Sequence, residues 1–408
     1  MAHPGLAPAR IRSAPWWRQS LAHGIPGIAL LHIELAAAGQ RPWQRVHDWL
    51  SAASAAPVTS GHDSHPFYGV PALAHPLACA ADQLPGAYRR TLDEFDRSIA
   101  AEARHRVAEA HRRIDRGEPP RLAEFDALQG LTGYGAYLLR RDPGGPAVRE
   151  VLAYLVRLTE PLTHDGDELP GWWALSGPSG RPHGRFPGGH ANHSAAHGIA
   201  GVLFLLSLAA LRRPPVPGQL DAVRRVCAWL DRWTDPSGRK GASLYWVTRA
   251  ELRSGCLARR ETVRPSWCYG TAGQARARQL AALALHDHDR QLAAERDLLA
   301  ALTDPEQLAA ATGTALCHGF AGLAHVATRT AADALPTTAG ALRAALPALL
   351  AAVLPPGGDP EKTLDALLLA DDGGPGLLDG AAGLALATLA PATGASPRSA
   401  WDACLLLS

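Results

Sequence analysis

The sequence predicts an all-α protein: an α/α toroid of seven helical hairpins, with inner and outer helix layers and minor strand and loop insertions. Three observations carry that expectation. A Gly-x-x-Gly or Gly-x-x-Ala signature recurs seven times, with first glycines at Gly24, Gly69, Gly130, Gly198, Gly270, Gly319 and Gly380. The run behind each signature is apolar nearly all round, as in Val202 to Leu208, which marks a buried helix. The segments ahead of the signatures are amphipathic, as in Leu220 to Trp233 with Arg224, Arg225, Asp231 and Arg232, and so read as an outer layer.

The first copy is His23-Gly24-Ile25-Pro26-Gly27, and Tyr68-Gly69-Val70-Pro71-Ala72 is a weaker second with alanine in place of the later glycine. Gln129-Gly130-Leu131-Thr132-Gly133, His197-Gly198-Ile199-Ala200-Gly201 and Tyr269-Gly270-Thr271-Ala272-Gly273 follow, then His318-Gly319-Phe320-Ala321-Gly322 and Asp379-Gly380-Ala381-Ala382-Gly383. Successive first glycines lie 45, 61, 68, 72, 49 and 61 residues apart, room for two helices and their loops in each interval. Glycine at the mouth of an inner helix lets backbones crowd. In a closed ring the mouths converge at one end, and His23, Tyr68, Gln129, His197, Tyr269, His318 and Asp379 form a polar rim.

Residues Thr163 to Ser194 break the helical pattern with Gly, Pro, His and Trp, and read as an ordered loop over the rim. Ser243 to Thr248 alternates as a short strand that could pair with Thr262 to Trp267. Ala341 to Val353 is helical, and Pro391 to Pro397 is a loop before a short tail. Residues 1–408 are expected to form one domain.

Hydrophobic residues at 47%, charged residues at 19% and a net charge of +2 describe an ordinary globular chain with no electrostatic case for nucleic acid or a membrane surface. No signal-peptide h-region and no span of transmembrane length stand out, so an integral membrane protein is not expected. The six cysteines, Cys79, Cys227, Cys256, Cys268, Cys317 and Cys404, are few and irregularly spaced, unlike a disulfide framework. A reducing, cytoplasmic setting follows as the expectation.

Trp267-Cys268-Tyr269-Gly270 and Leu316-Cys317-His318-Gly319 place two cysteines in the same register of neighbouring repeats, one followed by histidine. A lone cysteine is ordinarily a small buried hydrophobe. Two thiolates and an imidazole brought together form a zinc set with the fourth position left for substrate or water, the arrangement of a catalytic site. Such a site can hold an incoming thiol as its thiolate.

His197 shares the register of His318 but follows Ala196, so proton transfer suits it better than metal ligation. The alternative is a hydrogen-bonded core histidine. Asp126, four residues before Gly130, is either a helix cap or a carboxylate that orients His197. Arg264 is either a surface arginine or a stabiliser of a developing oxyanion, and Tyr269 either packs the ring or donates a hydrogen bond there. Asp379 and His23 read as residues that cap or orient helices, and His190 and His193 as solvent-exposed loop residues without a role.

These motifs, with Ala196-His197-Gly198-Ile199-Ala200-Gly201 and Pro170-Gly171-Trp172, resemble the lanthionine synthetase C-like family, the lanthipeptide cyclases, along the full chain. The resemblance implies an α/α toroid with catalytic Zn²⁺ held by Cys268, Cys317 and His318. It implies a Michael-type addition of peptide cysteine thiols to dehydroalanine or dehydrobutyrine, giving lanthionine or methyllanthionine rings. His197 and Asp126 would then be the acid/base pair, with Arg264 and Tyr269 in support. The implied partners are a dehydrated precursor peptide of leader plus core, with a separate dehydratase and a transporter of the same pathway.

Gln129 and Ala72 depart from the repeat without touching the zinc set. The spacings leave little room for the SH2-like extension that cyclases of this family can carry, and no large dehydratase region accompanies the toroid. A stand-alone cyclase is the expectation. The competing readings are a relative that adds glutathione or another free thiol to dehydrated residues, a prenyltransferase-type zinc toroid, whose metal set includes an aspartate, and a helical-repeat scaffold without metal.

Overall fold

The apolar runs behind the glycines form helices, and these alternate with amphipathic ones. In the computed structural model, which describes residues 3–7, 9–234, 243–258, 264–311, 313–369 and 373–408, the inner helices are α1 (Ile25–Ala37), α3 (Val70–Gln83), α5 (Leu131–Arg141), α7 (Ile199–Arg212), α9 (Thr271–Leu285), α11 (Phe320–Asp333) and α13 (Ala381–Thr393). Between them lie the outer helices α2 (Trp43–Ala53), α4 (Arg89–Asp115), α6 (Pro146–Leu158), α8 (Gln219–Arg232), α10 (His288–Thr303) and α12 (Pro336–Val353). In α7 every residue from Ile199 to Ala209 is buried, whereas α8 buries one face through Ala222, Val223, Val226, Cys227 and Leu230. That contrast assigns the layers. Helix α13 is followed by the chain's tail rather than an outer helix, and α12 and the short helix Pro360–Leu369 pack on it.

Each inner helix packs on the next in sequence order and α13 packs on α1, so the ring closes. A second closure runs through the backbone at the rim. Leu21 N–H donates to Phe67 C=O (3.0 Å), Ala127 to Ala196 (3.0 Å), Ala195 to Cys268 (3.0 Å), Cys268 to Cys317 (3.3 Å), Cys317 to Leu378 (2.8 Å) and Leu377 to Ala22 (2.7 Å). The junction between the second and third repeats uses a side chain instead, His65 Nδ1 against Leu128 C=O at 3.1 Å.

The later glycine of each signature is where this rim crosses its own helix. A Cβ on Gly27, Gly133, Gly201, Gly273, Gly322 or Gly383 would collide with the carbonyl oxygen of Leu21, Ala127, Ala195, Trp267, Leu316 or Leu377 respectively. The second repeat carries Ala72 there. Its loop runs differently, with Gly69 at φ +75°, and it is the repeat whose backbone junction to the next is replaced by His65.

Two pieces differ from the sequence expectation. Trp246–Thr248 (β4) is a strand as read, but it pairs antiparallel with His190–Asn192 (β3), not with 262–267. Residues 262 and 263 of that segment lie outside the described residues. The 163–194 segment is accordingly built into the toroid: with Leu162 it forms the hairpin of β1 (Leu162–His164) and β2 (Asp167–Leu169), and it supplies β3 of the second small sheet. It buries Trp172 and Trp173, the latter donating from Nε1 to Gly188 C=O at 2.9 Å. Pro391 lies inside α13 rather than in a loop. One helix among the described residues, α12, has the length and apolarity of a membrane span, which the sequence reading did not expect; it packs as an outer helix on α10 and α11 through buried Leu342, Leu349 and Val353.

The tail enters where the inner helices end and runs back through the centre of the ring. Glu34 accepts from the amides of Arg398 (2.7 Å) and Ser399 (3.0 Å), and Arg140 donates to the carbonyls of Ala400 (2.8 Å) and Ser399 (3.0 Å). Farther in, buried Asp402 takes Arg329 through both oxygens at 2.6 Å and His325 Nε2 at 2.8 Å. The tail ends beneath the rim, where Trp267 Nε1 donates to Leu405 C=O at 3.2 Å.

Candidate metal centre and its surroundings

Every inner helix begins at the rim, so the positive ends of seven helix dipoles surround one opening. That field favours negative charge at the mouth. Cys268 and Cys317 sit just before α9 and α11, and the Cys268 to Cys317 backbone bond holds them side by side. Their sulfurs and a ring nitrogen of His318 all lie within 4.8 Å of one another, close enough for one ion to bridge. The cysteine and histidine motifs were read from register alone, and the fold brings all three together.

The thiols do not behave alike. A hydrogen bond from Cys317 pulls the Cys268 thiol well below its ordinary pKa, against burial and with help from His318 and Ser266. That same bond, with burial and the Cys268 charge, pushes Cys317 well above it. The two thiols therefore titrate as a linked pair rather than independently. The bond to Cys268 also raises His318, with burial opposing. Two sulfurs and an imidazole within reach of one ion on a partly buried rim fit a zinc ion with an open position.

Asp126 ties the loop ahead of α5 to His197, although it is not the N-cap of that helix, which is Gly130. Oδ1 accepts from the amides of Gln129 (2.6 Å) and Gly130 (2.9 Å) at the start of α5, and Oδ2 lies 2.7 Å from Nδ1 of His197. The carboxylate is 2% exposed and the His197 side chain 32%, so the histidine faces the opening while its partner lies behind it. Burial works against a charge on His197, but the Asp126 hydrogen bond, the Asp126 charge and the Cys268 charge together hold its pKa above the ordinary value.

Tyr269 and Arg264 sit on the same wall. The Tyr269 ring lies 6.2 Å from that of His197, and its hydroxyl accepts from Asn192 Nδ2 at 3.0 Å. Burial raises the phenol pKa. The Arg264 amide donates to Tyr245 OH at 2.7 Å, and its charge reaches Cys317 and His318, lowering both.

His190 and His193 are not exposed loop residues: both are buried, His190 with Nδ1 2.8 Å from Ser176 C=O and His193 accepting from Trp229 Nε1 at 2.8 Å. Sequence reading missed Asn192 and Ser194, and it placed Asp379 on the rim as a helix-capping residue, whereas the N-cap of α13 is Gly380 and no side chain caps it. Ser194 Oγ accepts the His197 amide at 2.9 Å, and Asn192 Oδ1 accepts the Ser194 amide at 2.9 Å. Asp379 Oδ1 lies 3.3 Å from Nδ1 of His318. The signal available for Asn192 and Ser194 was polar residues inside a segment otherwise destined for burial.

A closed helical ring whose mouth gathers two thiols, an imidazole and a carboxylate-backed histidine defines a class of α/α-toroid proteins with a thiol-handling rim. The lanthionine synthetase C-like protein family matches residues 15–406, and the chain belongs to it. The nisin biosynthesis protein NisC of Lactococcus lactis subsp. lactis is 23% identical over 242 residues, 59% of this chain; the matched part spans 56% of that relative's length. The structure of a nisin cyclase superposes with a TM-score of 0.79 at 21% identity, covering 98% of this chain and 94% of that one.

Proposed function

We propose that the chain is a zinc-dependent lanthipeptide cyclase, which adds cysteine thiols of a dehydrated precursor peptide to dehydroalanine or dehydrobutyrine and so closes thioether rings. The observation that carries this reading is the meeting of Cys268, Cys317 and His318 with the His197–Asp126 pair at one mouth. Zinc held by the first three would supply a Lewis-acid position at which an incoming thiol is kept as its thiolate at neutral pH.

The protein's own groups then manage a proton. Addition forms a carbon–sulfur bond at the β-carbon and a carbon–hydrogen bond at the α-carbon, so the thiol proton ends on carbon and the mass is unchanged. With Nδ1 fixed on Asp126, His197 offers Nε2 to take that proton and return it. Its raised pKa keeps the ring protonated until the α-carbon accepts. Tyr269 and Arg264 would support the negative charge that develops on the acceptor's carbonyl oxygen. The peptide reaches the mouth past the 163–194 segment, which borders it through β3. The six cysteines are all free, as a reducing cytoplasm would leave them. A separate dehydratase would supply the substrate, and a transporter would take the product.

Reduced protein incubated with a dehydrated, cysteine-containing precursor peptide should consume free thiols with no change in peptide mass, and metal analysis should give about one zinc per chain. A mass gain equal to added glutathione would move the chain to intermolecular thiol addition. Absence of both zinc and reaction would leave a scaffold.

A further inference from the structure

Both histidines of the mouth have a carboxylate at Nδ1. Asp126 is hydrogen-bonded to His197 at 2.7 Å, whereas Asp379 Oδ1 lies 3.3 Å from Nδ1 of His318 as a charge contact that is not aligned as a hydrogen bond. A carboxylate at Nδ1 favours the tautomer with the proton there and leaves Nε2 for a metal, besides restraining rotation of the ring. The rim closure puts Asp379 in place: the amide of Cys317 donates to the carbonyl of Leu378 at 2.8 Å, tying the residue before His318 to the residue before Asp379.

The pair is largely withdrawn from water, His318 being 26% and Asp379 23% exposed. Asp379 also stands one residue outside the N-cap of α13, which is Gly380, so its carboxylate is not that helix's N-cap side chain. A solvated rim charge would have no cause to meet one imidazole nitrogen. The two aspartates differ in origin, Asp126 coming from the repeat before its histidine and Asp379 from the repeat after.

We propose that Asp379 is a positioning residue for His318, holding the imidazole by Nδ1 so that Nε2 is directed at the Cys268–Cys317 pair, and that it thereby sets the metal affinity of the site. The proposal rests on the zinc reading given above. Loss of such an outer carboxylate weakens metal binding about 10- to 100-fold.

The test is zinc affinity of the full chain, reduced and stripped of metal, measured by competition with a chromophoric chelator for the parent protein, His318→Ala, Asp379→Ala and Asp379→Asn. Asp379→Ala should bind zinc about 10- to 100-fold more weakly while its metal-free unfolding midpoint stays that of the parent. Asp379→Asn keeps the shape and an acceptor oxygen, so it should recover part of the affinity. The cobalt-loaded Asp379→Ala protein should also show altered ligand-field bands. If the parent binds no zinc, the zinc reading fails and this proposal with it. If the parent binds zinc tightly, His318→Ala does not, and both Asp379 variants match the parent, the proposal alone is overturned.

Discussion

Asp126 does two jobs with its two oxygens, and a single substitution separates them. In Asp126→Asn the remaining oxygen can keep the bonds from the Gln129 and Gly130 amides, so the start of α5 should stay formed. The amide nitrogen would face Nδ1 of His197 and donate to it, which forces the proton onto Nε2 and removes the atom proposed to take up the thiol proton. Ring closure should slow by about 10²- to 10⁴-fold, the range for loss of a positioned acid/base, with zinc content and unfolding midpoint unchanged. Activity within a few-fold of the parent would strip the pair of its assigned role. At this scale Cys268, Cys317, His318 and His197 were legible because each occupies a fixed place relative to a repeated glycine. Asn192 was not, and Asp379 was legible only as a rim position, since what each of them touches depends on which residue of another repeat faces it, and register within one repeat says nothing about that.

Among the elements, the inner helices were readable because an apolar run opened by glycine has few other destinations, whereas the partner of β4 was misread as the nearer segment. The glycines themselves mean something more specific than flexibility. Gly201 lies where α7 passes under the carbonyl of Ala195, and that residue's amide is bonded to Cys268. Gly201→Ala must therefore push the rim strand away from the next repeat, and should cost about 1–3 kcal/mol, as overpacking does. Ala72 occupies the corresponding place in the second repeat, where the loop already runs differently. Ala72→Gly should cost only about 1 kcal/mol of helix propensity. Denaturant unfolding of the two variants compares them directly, and equal effects would mean that the carbonyl crossing does not constrain the rim.

For the whole molecule the decisive feature is the one the sequence hid most fully, the tail that fills the ring's centre. Its residues looked like a short tail after a loop because nothing local marks a segment for burial inside a ring that only closes when α13 meets α1. Once there it is held by ionisable groups that must remain in one charge state. His75, whose Nε2 lies 2.8 Å from Trp401 C=O, is pushed down to about 3 by burial and the Arg140 charge. His190 under the rim is pushed down to about 4 by burial. A histidine with a lowered folded pKa binds fewer protons folded than unfolded between its two pKa values, so stability rises with pH across that window. From pH 6.5 down to about 4 both residues act together, each at up to about 1.4 kcal/mol per pH unit. Burial would raise the Asp402 carboxyl, but Arg329 and His325 hold it far below the usual range, so its contribution is intact above the ordinary carboxylate pKa and fades only in stronger acid. The part of the unfolding free energy that His75 and His190 contribute should thus be level above about pH 7 and fall steeply below about pH 6, as the unfolded-state histidine pKa near 6.5 requires. His75→Asn should flatten that slope. Asp402→Asn, which strands Arg329 and leaves the tail without its central anchor, should lower stability by about 3–5 kcal/mol at neutral pH. A profile that stays level from pH 7 to pH 5, or a His75→Asn slope equal to the parent's, would show that the plug is not held by these charges.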